Sequence, residues 1–201
     1  MSGVRIYLAR HGETDWNNEG RWQGQTDVPL NETGRRQAVA LGKRLRSLGL
    51  AKLGSSDLLR ATETAKIVGA EVGLVPAFAD PRLRERGFGV FEGLTRAEVE
   101  SRYPEHWRSY QINRRNVPPD GEPFDALIAR SSAALLDHHI PAPTLFVTHG
   151  GVMRSLWASS MFSAQAMQDV QPLENGAVVT LTIELVDRQL RLRQVELLPP
   201  G

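Results

Sequence analysis

Two segments of this chain end in the same way. Residues 4–9 and 144–148 read as short apolar strands, and each runs straight into histidine and glycine: Arg10-His11-Gly12 after the first, His149-Gly150-Gly151 after the second. A β-rich apolar run of this length suits a buried strand, and the glycines mark a sharp change of direction. Helical patterns fill the space between them. Asn31-Glu32-Thr33-Gly34 has the chemistry of a helix start, with Asn31 as N-cap and Glu32 in the first turn, and Ala38, Leu41, Leu45 and Leu48 recur on one face until Gly49. Asp57 is the expected cap of a second helix through Ala61, Ala65 and Val68 to about Gly73, which sets Arg60 in its first turn. A third helix is expected from Glu122 on, carried by Phe124, Leu127, Ile128, Ala134 and Leu135, and a fourth over residues 152–160. Residues 177–186 and 189–197, joined by a turn at Asp187-Arg188, read as a hairpin.

Strands alternating with helices imply an α/β fold. The sheet is expected to be doubly wound and mostly parallel, with helices on both faces in three layers and the C-terminal hairpin at its edge. A single domain over residues 1–201 follows from the length. The stretch at about 82–122, with short helices over residues 95–103 and 104–110 and a turn-rich linker at residues 116–121, reads as an insertion or lid within it. The remaining composition excludes classes. With 24 Lys+Arg against 23 Asp+Glu there is no basic field for nucleic acid. No run of eighteen apolar residues points to a membrane, and the N-terminus lacks a secretory pattern, so a cytoplasmic location is expected. The chain has no cysteine, which removes disulfides, thiolate nucleophiles and zinc-thiolate sites together. Nothing in the sequence speaks to oligomeric state.

In open α/β sheets ligands bind beyond the C-terminal ends of the strands, where both His11 and His149 fall. They are therefore expected to share one site. Arg10 beside His11 disfavours the imidazolium and keeps the ring neutral, as a nucleophile requires. Zinc held by His11, His149 and a carboxylate is the rival use of these residues. Arg10 beside such a site would repel a dication, and His138-His139, adjacent on a helix, point about 100° apart. No metal and no cofactor are expected.

The run Arg10-His11-Gly12-Glu13-Thr14 with Asn17 resembles the signature of the histidine phosphatase superfamily, the phosphoglycerate mutase-like proteins. Four further blocks match in order. They are residues 27–34; residues 55–61 with Thr64-Ala65; Leu83 to Glu85 followed by Phe88-Gly89 and Phe91-Glu92-Gly93; and Thr148-His149-Gly150-Gly151. The resemblance implies His11 as a nucleophile that forms a phosphohistidine, with Arg10, Arg60 and His149 clamping the phosphoryl oxygens and Asn17 adding a neutral donor. The backbone at Gly12 and Gly150 is expected to favour the anion further. Glu85 is assigned as general acid, with Glu13 the second choice. Read as an ordinary residue, Glu85 would pair with Arg84 or Arg86.

Substrate contacts are expected from Arg21, Trp22, Gln23 and Gln25 on the loop after Asn17, with Trp22 as that loop's apolar anchor. Arg114 and Arg115 resemble the carboxylate- or phosphate-gripping arginines of the mutases. The function implied is metal-independent hydrolysis of a small phosphorylated metabolite. A cofactor-dependent phosphoglycerate mutase and a phospho-ligand binding module without turnover are the alternatives.

Overall fold

A computed structural model describes residues 4–138, 140–157, 173–186 and 189–198. His139, the expected helix end at residues 158–160, the turn at Asp187-Arg188 and the first three residues lie outside the described residues. The elements, in chain order, are β1 (Val4–Arg10), α1 (Asp15–Asn18), α2 (Glu32–Leu45), β2 (Lys52–Ser55), α3 (Leu59–Val72), α4 (Arg96–Arg102), α5 (Pro104–Ile112), α6 (Phe124–His138), β3 (Thr144–Thr148), α7 (Gly150–Trp157), β4 (Val178–Val186) and β5 (Gln189–Leu197).

The sheet order is β2-β3-β1-β4-β5. β3 lies parallel to both β1 and β2, while β4 and β5 run antiparallel at the other edge, as the hairpin pattern implies. Successive residues of β1 face opposite sides, the two-residue period of a strand buried on both faces. Ile6 and Leu8 pack with Leu127 and Leu135 of α6 and Val152 and Met153 of α7. Tyr7 and Ala9 pack with Leu41 and Leu45 of α2 and Ala61, Ala65 and Val68 of α3. Helices on both faces give the three-layer α/β architecture. A third cluster, Phe88, Phe91, Val99, Trp107 and Tyr110, lies over residues 88–110, and Trp22 packs edge-on into it, 4.7 Å from Phe88 between ring centroids. Trp22 is the loop anchor its composition suggests.

Asn31 caps α2, its side chain accepting from Gly34 N at 2.8 Å, and Gly49 ends the segment at φ 61°. Asp57 does not cap α3. Its carboxylate accepts both Nε and Nη2 of Arg84 at 2.7 Å, and the first amide of the helix, Leu59 N, donates instead to Asp27 Oδ1 at 2.6 Å. The cap arrives from a distant loop, because a bidentate guanidinium pair holds the local candidate more strongly than one amide would. β2, only Lys-Leu-Gly-Ser, carries too little periodicity to be read from sequence and owes its existence to parallel pairing with β3. α7 begins at Gly150, two residues earlier than its apolar pattern suggests.

Candidate active site

The register of the central strands builds the site. Arg10 pairs with Thr148, so the next residue of each strand leaves the sheet beside the other, and His11 N donates to Thr148 O at 3.0 Å. The rings of His11 and His149 lie 5.1 Å apart between centroids. His11 Nδ1 is 2.7 Å from the carbonyl oxygen of Gly12. A carbonyl only accepts, so Nδ1 carries the proton and Nε2 keeps its lone pair. Burial, then Arg60, then Arg10, push His11 well below the ordinary histidine value, and the Gly12 hydrogen bond opposes them only in part. The ring is neutral and oriented, the state of a nitrogen nucleophile.

His149 is buried with neither ring nitrogen hydrogen-bonded, and burial together with Arg60 depresses its proton affinity too. Arg60, with no exposed surface, is aimed by two backbone carbonyls, Thr26 O at 2.9 Å from Nη1 and Gly24 O at 2.7 Å from Nη2, while its Nε is unpartnered. Burial lowers it to about 10, against the opposing pull of Glu85 and Asp27, so it remains a cation at neutral pH. Arg10 donates from Nη1 to Leu173 O, and its buried Nε is likewise unpartnered. Buried polar atoms without partners cost on the order of 1–3 kcal/mol each, and the Nε atoms of Arg10 and Arg60, two residues on the wall of one cavity, mark a place prepared for a hydrogen-bonding ligand.

That cavity is lined by Arg10, His11, Asn17, Gln23, Arg60 and Glu85, among others. Glu85 makes no ion pair with Arg84 or Arg86. Its Oε2 accepts Gly151 N at 2.9 Å and its Oε1 accepts Arg86 N at 2.8 Å, while Arg84 is held by Asp57 and Arg86 by the carbonyls of Arg114, Arg115, Asn116 and Glu122. Arg130 fixes the backbone beneath the carboxylate by donating to the carbonyls of Arg82, Arg84 and Glu85. Asn17 Oδ1 is occupied by Thr14 and Asn175, which leaves its NH₂ to face a ligand. Gln23 is buried with Oε1 unpartnered.

Other expected residues are committed elsewhere. Gly12 N donates to Thr64 Oγ1 at 3.1 Å, so this amide is not offered to an anion. Glycine is needed here because a Cβ would lie 2.4 Å from Gly34 O. Gly150 opens α7 between the Arg10 and Arg154 guanidinium groups. Arg21 reaches the cavity wall, but its guanidinium is taken by Glu19, Glu98 and Gly93 O. Gln25 donates to Glu85 O from outside the cavity lining. Arg114 and Arg115 are exposed and also lie outside that lining, Arg114 over the rings of Tyr110 and Trp107 and Arg115 on Asp125 and Phe124. An aromatic face or a nearby carboxylate satisfies an exposed guanidinium as well as a ligand does. Glu13 accepts from Asn31 Nδ2, at the head of α2.

Sequence reasoning missed Arg154 and Asn175. Arg154 stands one turn inside the helix that His149-Gly150 opens, a spacing that could have placed it. Asn175, which donates to His11 O and Asn17 Oδ1, carries no local signal at all. Among the described residues no three His, Cys, Asp or Glu gather to hold a metal ion, and no helix is long and apolar enough to cross a membrane.

A neutral imidazole with a free Nε2, ringed by guanidinium groups, a second imidazole and one carboxylate, has the composition that phosphoryl transfer through a histidine calls for. The sequence pattern of the histidine phosphatase superfamily (branch 1) matches residues 6–195, and the chain belongs to that superfamily. Similar proteins include phosphoglycerate mutase-like protein 4 of Arabidopsis thaliana, 40% identical over 83% of this chain and 75% of that protein. The probable phosphoglycerate mutase GpmB of Yersinia pestis is 41% identical over 73% of this chain and 70% of its own length. Among solved structures, a mycobacterial glucosyl-3-phosphoglycerate phosphatase in complex with VO3 superposes with a TM-score of 0.81 at 31% identity, over 94% of this chain and 96% of the other. YhfR of Bacillus stearothermophilus does so at 0.77 and 34% identity, over 94% and 95%.

Proposed function

We propose that this protein hydrolyses phosphomonoesters of small metabolites through a phosphohistidine at His11, without a metal ion. The observation that carries the reading is the pairing of a ring whose Nε2 lone pair is free with the buried, unpartnered Nε donors of Arg10 and Arg60 on the wall of the same cavity. His11 Nε2 attacks phosphorus in line, and the bond to the leaving oxygen breaks with its electron pair on that oxygen. Glu85 supplies the proton the oxygen needs. In the second half Glu85 takes a proton from water as the water oxygen attacks phosphorus, and Nε2 is released. Arg10, Arg60, His149 and Asn17 hold the equatorial oxygens, where preorganised donors contribute most to phosphoryl transfer. The cavity, about 280 Å³, suits a small metabolite.

Cations converging on two imidazoles favour an anion over a metal ion, and vanadate, found in a related solved phosphatase, is the natural probe. Hydrolysis rather than mutase chemistry is favoured because Arg114 and Arg115, the arginines that would grip a second substrate anion in a mutase, are engaged away from the cavity. The test is brief reaction with phosphate-labelled substrate. An acid-labile, base-stable label on the protein, lost in His11→Ala, is the expected result, with inhibition by vanadate and indifference to EDTA. Label persisting in His11→Ala, or activity lost to EDTA and restored by a divalent cation, would overturn the reading. Faster exchange between 2- and 3-phosphoglycerate than phosphate release would make it a mutase.

A further inference from the structure

We propose that Arg130 is the positioning residue of the proton donor: it holds Glu85 within reach of the leaving oxygen, and thereby sets how well the enzyme cleaves esters whose leaving group needs a proton. This rests on the phosphatase reading and on Glu85 as its general acid.

Glu85 stands on irregular backbone. A single turn at Pro81–Leu83 precedes it, and residues 85–88 belong to no helix or strand. The carbonyls of such a stretch need partners from elsewhere in the fold. Arg130 of α6 supplies them, and all five of its N–H groups are committed. Nη1 donates to Arg82 O at 2.7 Å and Arg84 O at 2.6 Å, Nη2 to Glu85 O at 2.9 Å and Glu122 Oε2 at 2.8 Å, and Nε to Glu122 Oε1 at 2.6 Å. The remaining carbonyl of the run, Leu83 O, accepts from Thr148 Oγ1 at 2.9 Å, one residue before His149. Glu122 closes the frame beyond the acid, its Oε2 also accepting Gly87 N at 3.2 Å. The backbone on both sides of Glu85 is thus tied to one pair of side chains.

Neither Arg130 nor Glu122 lines the cavity that Glu85 faces, so Arg130 acts through Glu85 and not on the substrate. The two side chains are 18% and 16% exposed, and their bidentate pairing holds the acid without adding an unpaired cation beside Arg10 and Arg60. A lysine would offer the same charge from one nitrogen, which cannot span three carbonyls and a carboxylate. The Glu85 carboxylate in turn bridges Arg86 N and Gly151 N, so a shift of the backbone that carries it moves the proton donor against the start of α7. A general acid works at roughly 2.6–3.2 Å from the oxygen it protonates, and a misplacement of about 1 Å costs on the order of 10²-fold. A leaving group that departs without a proton is indifferent to that loss. Loosening Arg130 therefore harms one class of ester and spares the other.

The test compares kcat/KM, which reports formation of the phosphohistidine, for ethyl phosphate and p-nitrophenyl phosphate. Arg130→Met is expected to lower the ethyl phosphate value about 10- to 100-fold more than the p-nitrophenyl value, with vanadate affinity within about threefold of the parent. Arg130→Lys keeps the charge opposite Glu122 and should show part of the same selective loss; it decides the question if a thermal melt shows Arg130→Met misfolded. In a Glu85→Gln background neither change should add selectivity, because both act on the same group. A second readout needs no turnover. Gly151 N, in the first turn of α7, has no acceptor within its helix and relies on Glu85. Its hydrogen exchange should quicken about tenfold or more in Arg130→Met, as in Glu85→Ala, while the amides of β3 keep their parent rates. A parent that cleaves only p-nitrophenyl phosphate, an equal loss for both esters, further selectivity lost on top of Glu85→Gln, or parent selectivity in both Arg130 variants would overturn the assignment. So would vanadate affinity falling with activity, which would place Arg130 on the phosphoryl group. If the parent releases phosphate from neither ester, the hydrolytic reading fails and the Gly151 exchange decides alone, an unchanged rate in Arg130→Met striking the inference. Hydrolysis whose selectivity depends on Glu85 but not on Arg130 strikes the inference and keeps the reading.

Discussion

Two groups of charged side chains in this protein use the same residue types to opposite ends. Behind the sheet edge, Arg82 places Nε and Nη2 on Asp80 at 3.1 and 2.7 Å and Nη1 on Asp137 at 2.6 Å, while His138 Nε2 meets Asp80 Oδ2 at 2.8 Å with its ring stacked on Phe78. Burial would raise Asp80, but the hydrogen bonds from Arg82 and His138 hold it at about 2. At the strand ends the His11 and His149 rings touch no carboxylate, and Arg10, Arg60 and Arg154 on the cavity wall form no ion pair among the described residues. A histidine and an arginine that have found carboxylates stabilise a fold. The same residues left without them, at a strand end, store an affinity for an anion that the protein itself does not satisfy.

The comparison can be broken most severely at Glu85. General acid catalysis is worth roughly 10²–10⁴-fold, and most of it is needed only for a basic leaving oxygen. Glu85→Gln should lower kcat for alkyl phosphates by about that range and for p-nitrophenyl phosphate far less, measured as the ratio of the two rates. Equal damage to both would assign Glu85 a structural role through Gly151 and Arg86. Arg60 comes next. Removing one preorganised donor costs about 10²–10³ in kcat, and Arg60→Met should fall in that range with vanadate affinity falling alongside; retained vanadate binding would move Arg60 out of the site.

Asp80 sharpens the contrast from the other side. Asp80→Asn should cost about 1.5–3 kcal/mol of stability, the worth of hydrogen bonds to a charged group, read from a denaturant titration, while kcat stays within about threefold. A larger catalytic loss would couple the two clusters.

The smallest effect is in pH. His11 and His149 are depressed below 6.5 in the folded protein, so the unfolded chain binds more protons and stability must fall as pH drops through 6.5, by up to about 1.4 kcal/mol per pH unit for each ring. Asp80 acts in a lower window, its contribution present above about pH 4 and lost as pH falls toward 2. Melting curves between pH 5 and 7.5 should therefore slope equally in the parent and in Asp80→Asn, and the slope should lessen when vanadate is bound, because an anion beside the unpartnered ring of His149 favours its protonated form. A slope that disappears in Asp80→Asn would place its origin in the wrong cluster.

Local chemistry made much of this protein legible. Apolar runs cut off by His-Gly placed His11 and His149 at strand ends, Asn31 announced its helix through its cap, and two β-rich runs about a short turn gave the hairpin, because period, cap and turn are decided by residues within a few positions of one another. Where two groups compete for the same partner, only the tertiary structure decided. Asp57 went to Arg84 and left its helix to be capped by Asp27; the Gly12 amide went to Thr64; Arg114 and Arg115 settled on rings and on Asp125. Arg154, far along the chain from Arg10, came to flank the same glycine. Hydrogen bonds and ion pairs saturate, so each donor's role depends on which acceptors the folded chain brings nearest, and that ordering is a property of strand register and helix packing rather than of any local stretch of sequence.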